Sequence, residues 1–293
     1  MTQLVISILG AGGMGQWLAN FFKDEAKVKI YDINLEKAIA MAQRLNIQIA
    51  ETTKELVSGC HILILAIPIM TIKQVIDELL PLLHPDMALI DIAGIKSPIL
   101  NSLKKAAKST NVLSIHPLFG PTATTIQGKI LVLMPVTEGV NSHPEIRKIT
   151  EIFIRNGARI VEMRLESHDE RLSHTLNLAH LLNIAFAMTL RNSNQSISSF
   201  LQLATTTFSA QLILAEAVAI ENVKHYTQLQ IFNPYSISML DQLINTLTEI
   251  RKVMSKKDTR TLEQILKQNR EFLAEDPHFP TAKIKVYHFL ERV

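Results

Sequence analysis

The chain has 293 residues, 47% of them apolar and 19% charged, enough to bury the cores of two ordinary domains. A formal net charge of +3 with no long basic block argues against nucleic-acid and membrane-surface partners. The one cysteine, Cys60, cannot form an internal disulfide, and the start Met-Thr-Gln-Leu has no basic leader region, so a cytoplasmic protein is expected. No apolar run reaches the roughly 18–20 residues of a membrane span; 175–190 comes nearest but carries Asn177, His180 and Asn183.

The first half alternates strand-like and helix-like segments. Strands are predicted at Leu4–Leu9, Val28–Tyr31, His61–Ala66, Met87–Ile90, Val112–Ile115, Ile130–Val136 and Ala158–Glu162. Helices are predicted at Leu35–Leu45, Ile72–Leu83, Ser97–Lys108 and Pro144–Asn156. Such alternation implies βαβ units and a doubly wound parallel α/β sheet over residues 1–165. Beyond residue 166 strand signals become sparse. Long apolar helical stretches at 168–191, 198–222, 236–255 and 258–275 imply an all-α domain over 166–293, with breaks at Asn233-Pro234 and Asp276-Pro277. Its apolar positions outnumber what one antiparallel bundle buries, so a homodimer through this half is expected. The tail 277–293 has two prolines and no period; it reads as loosely attached or wrapped on a neighbour.

The first strand runs into Gly10-Ala-Gly12-Gly13-Met14-Gly15, which fits the G-x-G-x-x-G spacing. Gly10 suits a tight strand-to-helix turn, Gly12 lets backbone N–H groups reach a pyrophosphate, and Gly15 lets helix and strand pack closely. Asp32 stands 22 residues after Gly10, at the end of the next strand, where a carboxylate binds a ribose 2′-hydroxyl. The competing reading is a glycine-rich turn beside an unrelated acid. The strand Cys60–Ala66 ends in Ile67-Pro68-Ile69, a loop expected to line the dinucleotide at the carboxyl edge of the sheet, while His61 reads as a strand-entry residue.

Asp91 and Lys96 flank the next loop, read either as part of a site or as a capped helix with a solvated lysine. His116 ends an apolar strand between stiff neighbours, Pro117, Gly120 and Pro121. An imidazole held there can take a hydroxyl proton while hydride leaves the same carbon. At the start of the helical half, Asp169, Ser173, Asn177 and His180 recur at helical spacing and form one polar stripe that needs partners or a ligand. His168 and His174 lie off that stripe and read as less functional. His168, His174 and His180 do not share a face as metal ligands would, so no metal is expected.

Together these segments resemble the prephenate/arogenate dehydrogenase family, its archaeal-type members most closely. His116-Pro-Leu-Phe-Gly-Pro121 is similar to the family's His-Pro-Met-Phe-Gly-Pro signature, and Asp91-Ile-Ala-Gly-Ile-Lys96 to its Asp-x-x-Ser-x-Lys loop. His168-Asp169 followed by His180 resembles its helical motif, and Tyr226-Thr-Gln-Leu-Gln-Ile-Phe-Asn-Pro234 its Tyr-Ala-x-Ile-Gln-x-x-Asn-Pro segment. The resemblance implies oxidative decarboxylation of prephenate or arogenate, with His116 as the base and Gly94, Lys96, Lys129, Asn177 and His180 beside an anionic substrate. It implies NAD at Gly10, Gly12, Gly13, Met14, Gly15, Asp32, Ile67, Pro68 and Asp91. NAD is expected over NADP because Asp32 would repel a 2′-phosphate.

Two positions depart from the family pattern. Gly94 stands where the family has a serine beside the reacting hydroxyl, and Glu216-Ala217 where it has a Gly-Arg pair that holds a substrate carboxylate. No arginine occurs between Arg191 and Arg251, which leaves Lys129, Lys224 or a second subunit to supply a cation, or else a different cyclic or β-hydroxy acid as substrate. A dinucleotide-binding protein without catalysis is the remaining alternative.

Overall fold

The structure, a computed structural model, describes residues 3–291. It separates into two compact units, Met1–Asp169 and Glu170–Val293. The division falls a few residues beyond the expected boundary at 165. Leu165 is still buried in the core of the first unit, and Asp169 still bonds to its backbone.

The first unit carries eight strands among its described residues: β1 (Val5–Leu9), β2 (Lys27–Tyr31), β3 (Gln48–Ile49), β4 (Ile62–Leu65), β5 (Ala88–Asp91), β6 (Asn111–Pro117), β7 (Ile130–Pro135) and β8 (Arg159–Glu162). They form one sheet in the order β3-β2-β1-β4-β5-β6-β7-β8. The first six reproduce the two βαβαβ halves of a dinucleotide-binding fold, with the order reversing between β1 and β4. Strands β4 and β5 are buried on both faces, which is why they read as continuous apolar runs without alternation. The helices α1 (Gly13–Phe22), α2 (Leu35–Leu45), α3 (Thr53–Val57), α4 (Ile69–Leu79), α5 (Leu100–Ala106) and α6 (Pro144–Arg155) connect them. The two separate buried clusters this creates lie on opposite sides of the sheet: strand residues Ile6, Ile8, Ile62 and Ile64 join one, and Leu9, Leu63 and Leu65 the other.

One expectation is corrected here: β7 runs antiparallel to β6, so the sheet is not parallel throughout. A parallel return needs a crossover, usually a helix. The 118–129 connection contains none, and the chain doubles back beside β6 with the Leu118 N–H on the Ile130 carbonyl. A doubly buried apolar run looks the same in either direction, so composition could not reveal this. Strand β3 and helix α3, too short to show a period, also escape the sequence reading.

The second unit is helical: α8 (Leu178–Asn192), α9 (Ile197–Leu201), α10 (Thr206–Ala219), α11 (Val223–Ile231), α12 (Ser236–Ser255), α13 (Thr259–Leu273) and α14 (Ala282–Leu290), preceded by the short α7 (His168–Leu172) that runs across the division. The uninterrupted helix expected at 168–191 is broken by a π-helical stretch, Ser173–Asn177, which shifts the side-chain phase by about one residue. The expected 198–222 helix is two, and α11 was not foreseen. The tail is corrected as well: it forms α14, which packs on α10. Pro277 falls in the expected break between α13 and α14, while Pro280 sits in the 3-10 turn that opens α14, where a missing N–H costs little. No described helix is long and apolar enough to cross a membrane.

Candidate functional site

The glycine loop lies at the carboxyl end of β1, beside the point where strand order reverses. Gly10 has φ +114°, and a Cβ there would fall 2.3 Å from the Ala66 carbonyl oxygen after β4. A Cβ on Gly15 would fall 1.9 Å from the Gly10 oxygen, so α1 meets the loop backbone directly. Both positions require glycine for space. Gly12 is different: its Cβ direction is open, and it begins α1 with no side-chain cap. The first N–H groups of a helix have no intrahelical partner, so this terminus offers donors and a favourable dipole to a phosphate. Met14 is half-buried in the first turn, and Gly13 abuts the Pro121 ring. The Asp32 carboxylate, at the end of β2, accepts the Ala11 N–H at 2.6 Å and the Asn34 N–H at 2.9 Å. Ile67 is half-buried and Pro68 exposed in the loop that opens α4. An uncapped helix start, an open glycine and a held carboxylate fit a dinucleotide.

The His-Pro-Leu-Phe-Gly-Pro segment is tied to this loop. Besides the Gly13–Pro121 contact, Phe119 packs edge-on to Trp17 at 4.9 Å, and the Trp17 indole N–H donates to the Ala123 carbonyl at 2.7 Å. His61 accepts the Val5 N–H through Nδ1, which is a cross-strand tie, as its strand-entry reading implies.

His116, near the end of β6, belongs to a buried polar chain. Its Nδ1 lies 2.9 Å from His168 Nε2, and His168 Nδ1 lies 2.7 Å from Asp169 Oδ1. The Asp169 carboxylate also accepts the N–H groups of Lys96, at 2.9 and 3.1 Å, and Ser97, at 2.7 Å. The Lys96 ammonium donates to Asp91 Oδ1 at 2.7 Å and to the Ile115 carbonyl at 3.0 Å, one residue before the histidine. Asp91, Lys96 and His168 are at most 1% exposed. Burial pushes the Lys96 ammonium down, opposed by Asp91 and Asp169. Burial also pushes the His168 imidazole down, with Asp169 opposing and Lys96 reinforcing. Burial would raise Asp169, but the hydrogen bonds from His168, Ser97 and Lys96 outweigh it and hold its carboxyl below the usual range.

Three readings change on this geometry. Lys96 is not a solvated lysine on a capped helix; its charge is spent on Asp91 and the β6 backbone. As an expected substrate contact it is therefore corrected to a group that braces the histidine strand. Asp91, expected at the cofactor, gives Oδ1 to Lys96 and to the Ala93 N–H, while its buried Oδ2 and the Ser114 hydroxyl at the paired position of β6 have no partner among the described residues. His168, set aside because it lies off the helical stripe, is in contact with His116. Helical phase judges a side chain by its own helix, whereas the neighbours of His168 come from a strand end and a loop. The adjacent His-Asp pair was the available signal. Gly94 is half-buried in the same 91–97 loop, and Lys129 is exposed at the entry to β7.

In the second unit the polar stripe resolves into a staple. Asn177 is fully buried; its amide donates to the Leu229 carbonyl at 2.9 Å and the Ser236 hydroxyl at 2.9 Å, and its oxygen accepts from Asn233 at 3.0 Å. It joins the π-helical stretch to the α11–α12 turn and is corrected from a substrate contact to a structural one. Buried amides need such partners, and here the chain supplies them. His180 stacks on Tyr226 at 4.7 Å, with Nδ1 buried and without a partner among the described residues. Burial, then the neighbouring His225, pushes the His180 imidazole down. Lys224 and Glu216 are exposed.

Residues 18–162 match the family model for the prephenate dehydrogenase nucleotide-binding domain, and 164–268 the one for the prephenate dehydrogenase dimerization domain. The chain belongs to the prephenate dehydrogenase family. A probable arogenate/prephenate dehydrogenase of Methanocaldococcus jannaschii is 25% identical over 91% of this chain, which spans 60% of that protein's length. A 4-amino-4-deoxyprephenate dehydrogenase of Streptomyces pristinaespiralis is 24% identical, over 74% of this chain and 72% of its own. Among solved structures, the Aquifex aeolicus prephenate dehydrogenase in complex with hydroxyphenyl propionate and NAD+ superposes with a TM-score of 0.77 at 16% identity, covering 94% of this chain and 99% of that one. That likeness establishes a shared fold for this member of the prephenate dehydrogenase family.

Proposed function

We propose that this protein catalyses NAD-dependent oxidative decarboxylation of prephenate or arogenate, yielding 4-hydroxyphenylpyruvate or tyrosine. The observation that carries the reading is His116, backed by His168 and Asp169 and tied through Pro121 to the glycine loop. Bound NAD would supply the hydride acceptor. The chain's part is to take the proton: the substrate O–H bond breaks, an N–H bond forms on His116, the ring carboxylate departs as CO2, and aromatisation drives the step. Gly10, Gly12, Gly13, Met14 and Gly15 would hold the pyrophosphate side and Asp32 the ribose, with Ile67 and Pro68 lining the loop. Asp32 favours NAD over NADP through repulsion of a 2′-phosphate. His180 is the substrate contact we assign to the second unit, and Lys129 a candidate cation; Lys96 and Asp91 act by positioning, and Asn177 holds the α11–α12 turn. The protein would work as a homodimer through the second unit, a reading supported by its dimerization-domain match and by exposed apolar residues such as Leu203 and Ile220.

A second reading has one observation in its favour. Gly94 lacks the serine hydroxyl that the family places beside the reacting oxygen, so a substrate bearing an amine at that carbon, as in 4-amino-4-deoxyprephenate, would lose no partner. Purified protein with NAD and prephenate, arogenate or the amino analogue decides among these by the growth of NADH absorbance. Turnover on prephenate or arogenate that His116→Asn abolishes supports the first reading. Turnover on the amino compound alone moves the assignment to the second.

A further inference from the structure

We propose that His168 and Asp169 fix the tautomer of His116, leaving Nε2 as the nitrogen that accepts the substrate proton. The inference rests on the reading of His116 as the base and assigns that base its geometry.

The argument is one of donors and acceptors. Asp169 accepts the backbone N–H groups of Lys96 and Ser97 on its two oxygens, contacts that favour the ionised carboxylate, so toward His168 it can only accept. His168 Nδ1 must therefore carry a proton and donate it. A neutral imidazole has one N–H, so His168 Nε2 is left as an acceptor. It lies 2.9 Å from His116 Nδ1, which must then be the protonated nitrogen of that ring. Burial keeps His168 neutral, as the chain of bonds requires. The charged groups facing His168 are Asp169 on its own segment and Lys96 and Asp91 from the 91–97 loop, with His116 from β6.

The same arrangement serves the proton once it has moved. The substrate O–H bond breaks and an N–H bond forms at His116 Nε2; Nδ1–H remains on its ring and continues to donate to His168. The resulting imidazolium is stabilised through His168 by the Asp169 carboxylate, and no further proton need leave the pair. His168 and Asp169 are thus positioning residues. If His168 were protonated, both its nitrogens would donate. His116 would then turn its lone pair toward His168 and present N–H to the substrate.

Asp169→Asn tests this with little change of shape. The Ser97 N–H, 2.7 Å from Oδ2, would hold the new amide oxygen there and turn the amide N–H toward His168 Nδ1, with the Lys96 N–H keeping its 3.1 Å contact to that oxygen and giving up its 2.9 Å contact at Oδ1. His168 would then have to accept at Nδ1 and donate from Nε2, and His116 would switch to the Nε2–H tautomer. The readout is the 15N chemical shifts of the imidazole nitrogens in the intact protein. The expected result is a protonated Nδ1 on His116 in the wild type and a protonated Nε2 in Asp169→Asn, with kcat lower by about 10²–10⁴-fold and KM and NAD affinity retained. A second pair covers loss of folding: His168→Gln keeps an acceptor for the His116 N–H and His168→Leu does not, so the glutamine variant should turn over roughly tenfold faster or more. A wild-type His116 protonated at Nε2, or a tautomer indifferent to Asp169→Asn, would overturn the proposal. The reading of His116 as the base fails separately: His116→Asn would then keep turnover while the wild-type nitrogen shifts remain as expected.

Discussion

Each unit of this molecule buries a polar cluster, and the two are built on opposite terms. In the first, Asp91, Lys96, Asp169, His168 and His116 form a chain of ionisable groups at the carboxyl edge of the sheet. In the second, Asn177, Asn233 and Ser236 join two helical segments with neutral amides and a hydroxyl. Burying a charge is costly unless it is paired and hydrogen-bonded, and a paired charge responds to protons. Burying an amide is cheap once its four hydrogen-bonding sites are met, and the result is insensitive to pH. The difference separates a cluster suited to proton transfer from one that only holds a turn.

Substitutions can break this contrast in order of size. His116→Asn should lower turnover by about 10²–10⁴-fold while sparing NAD affinity, measured by NADH formation and by titration of the nucleotide. Lys96→Met should destabilise the protein by about 3–5 kcal/mol, because it leaves the Asp91 carboxylate buried and unpaired; denaturant unfolding reads this directly. Asn177→Ala removes a buried hydrogen-bond partner from the Leu229 carbonyl, the Asn233 amide and the Ser236 hydroxyl, for a loss of about 1–3 kcal/mol in the same experiment. The folded fraction of that variant should keep its kcat, since the staple carries no proton.

Acid sharpens the same comparison. The His168 imidazole sits below its ordinary value of 6.5, so the unfolded chain takes up this proton at a higher pH than the folded one. Its contribution is therefore complete above about 6.5 and is lost as pH falls from there toward the folded value. The Asp169 contribution follows lower, below its ordinary 3.8. Melting temperature should decline through this range, and His168→Gln should flatten part of the decline; His180 and His225, also depressed by burial, add to it over the same window. Asn177→Ala should lower the curve without changing its shape. The smallest effect is at Lys129: exposed charge contacts contribute about 1 kcal/mol or less, so Lys129→Ala should raise KM by less than about fivefold and leave stability alone.

What could be read from the chain follows the range of the interactions. The glycine loop, Asp32 and the strand ends are local patterns whose geometry is set within a few residues, and the structure places them as the fold requires. Direction and partnership are not local. Nothing in Ile130–Pro135 says that β7 runs against β6; only the absence of a helix in the preceding loop does. The polar stripe marked Asn177 as a buried amide in need of partners, but the partners lie more than fifty residues away, at Leu229, Asn233 and Ser236. The contact of His168 with His116 is hidden from the sequence for the same reason. The π-helical stretch at Ser173–Asn177 also defeats any face drawn with a period of 3.6.

The most direct test of the whole account is NADH formation by the purified protein with NAD and prephenate or arogenate, run beside His116→Asn. The account predicts turnover on one of these two by the wild type and its collapse in the variant, with NAD still bound by both. Bound NAD with no NADH from either compound, or turnover that survives the loss of His116, would contradict it.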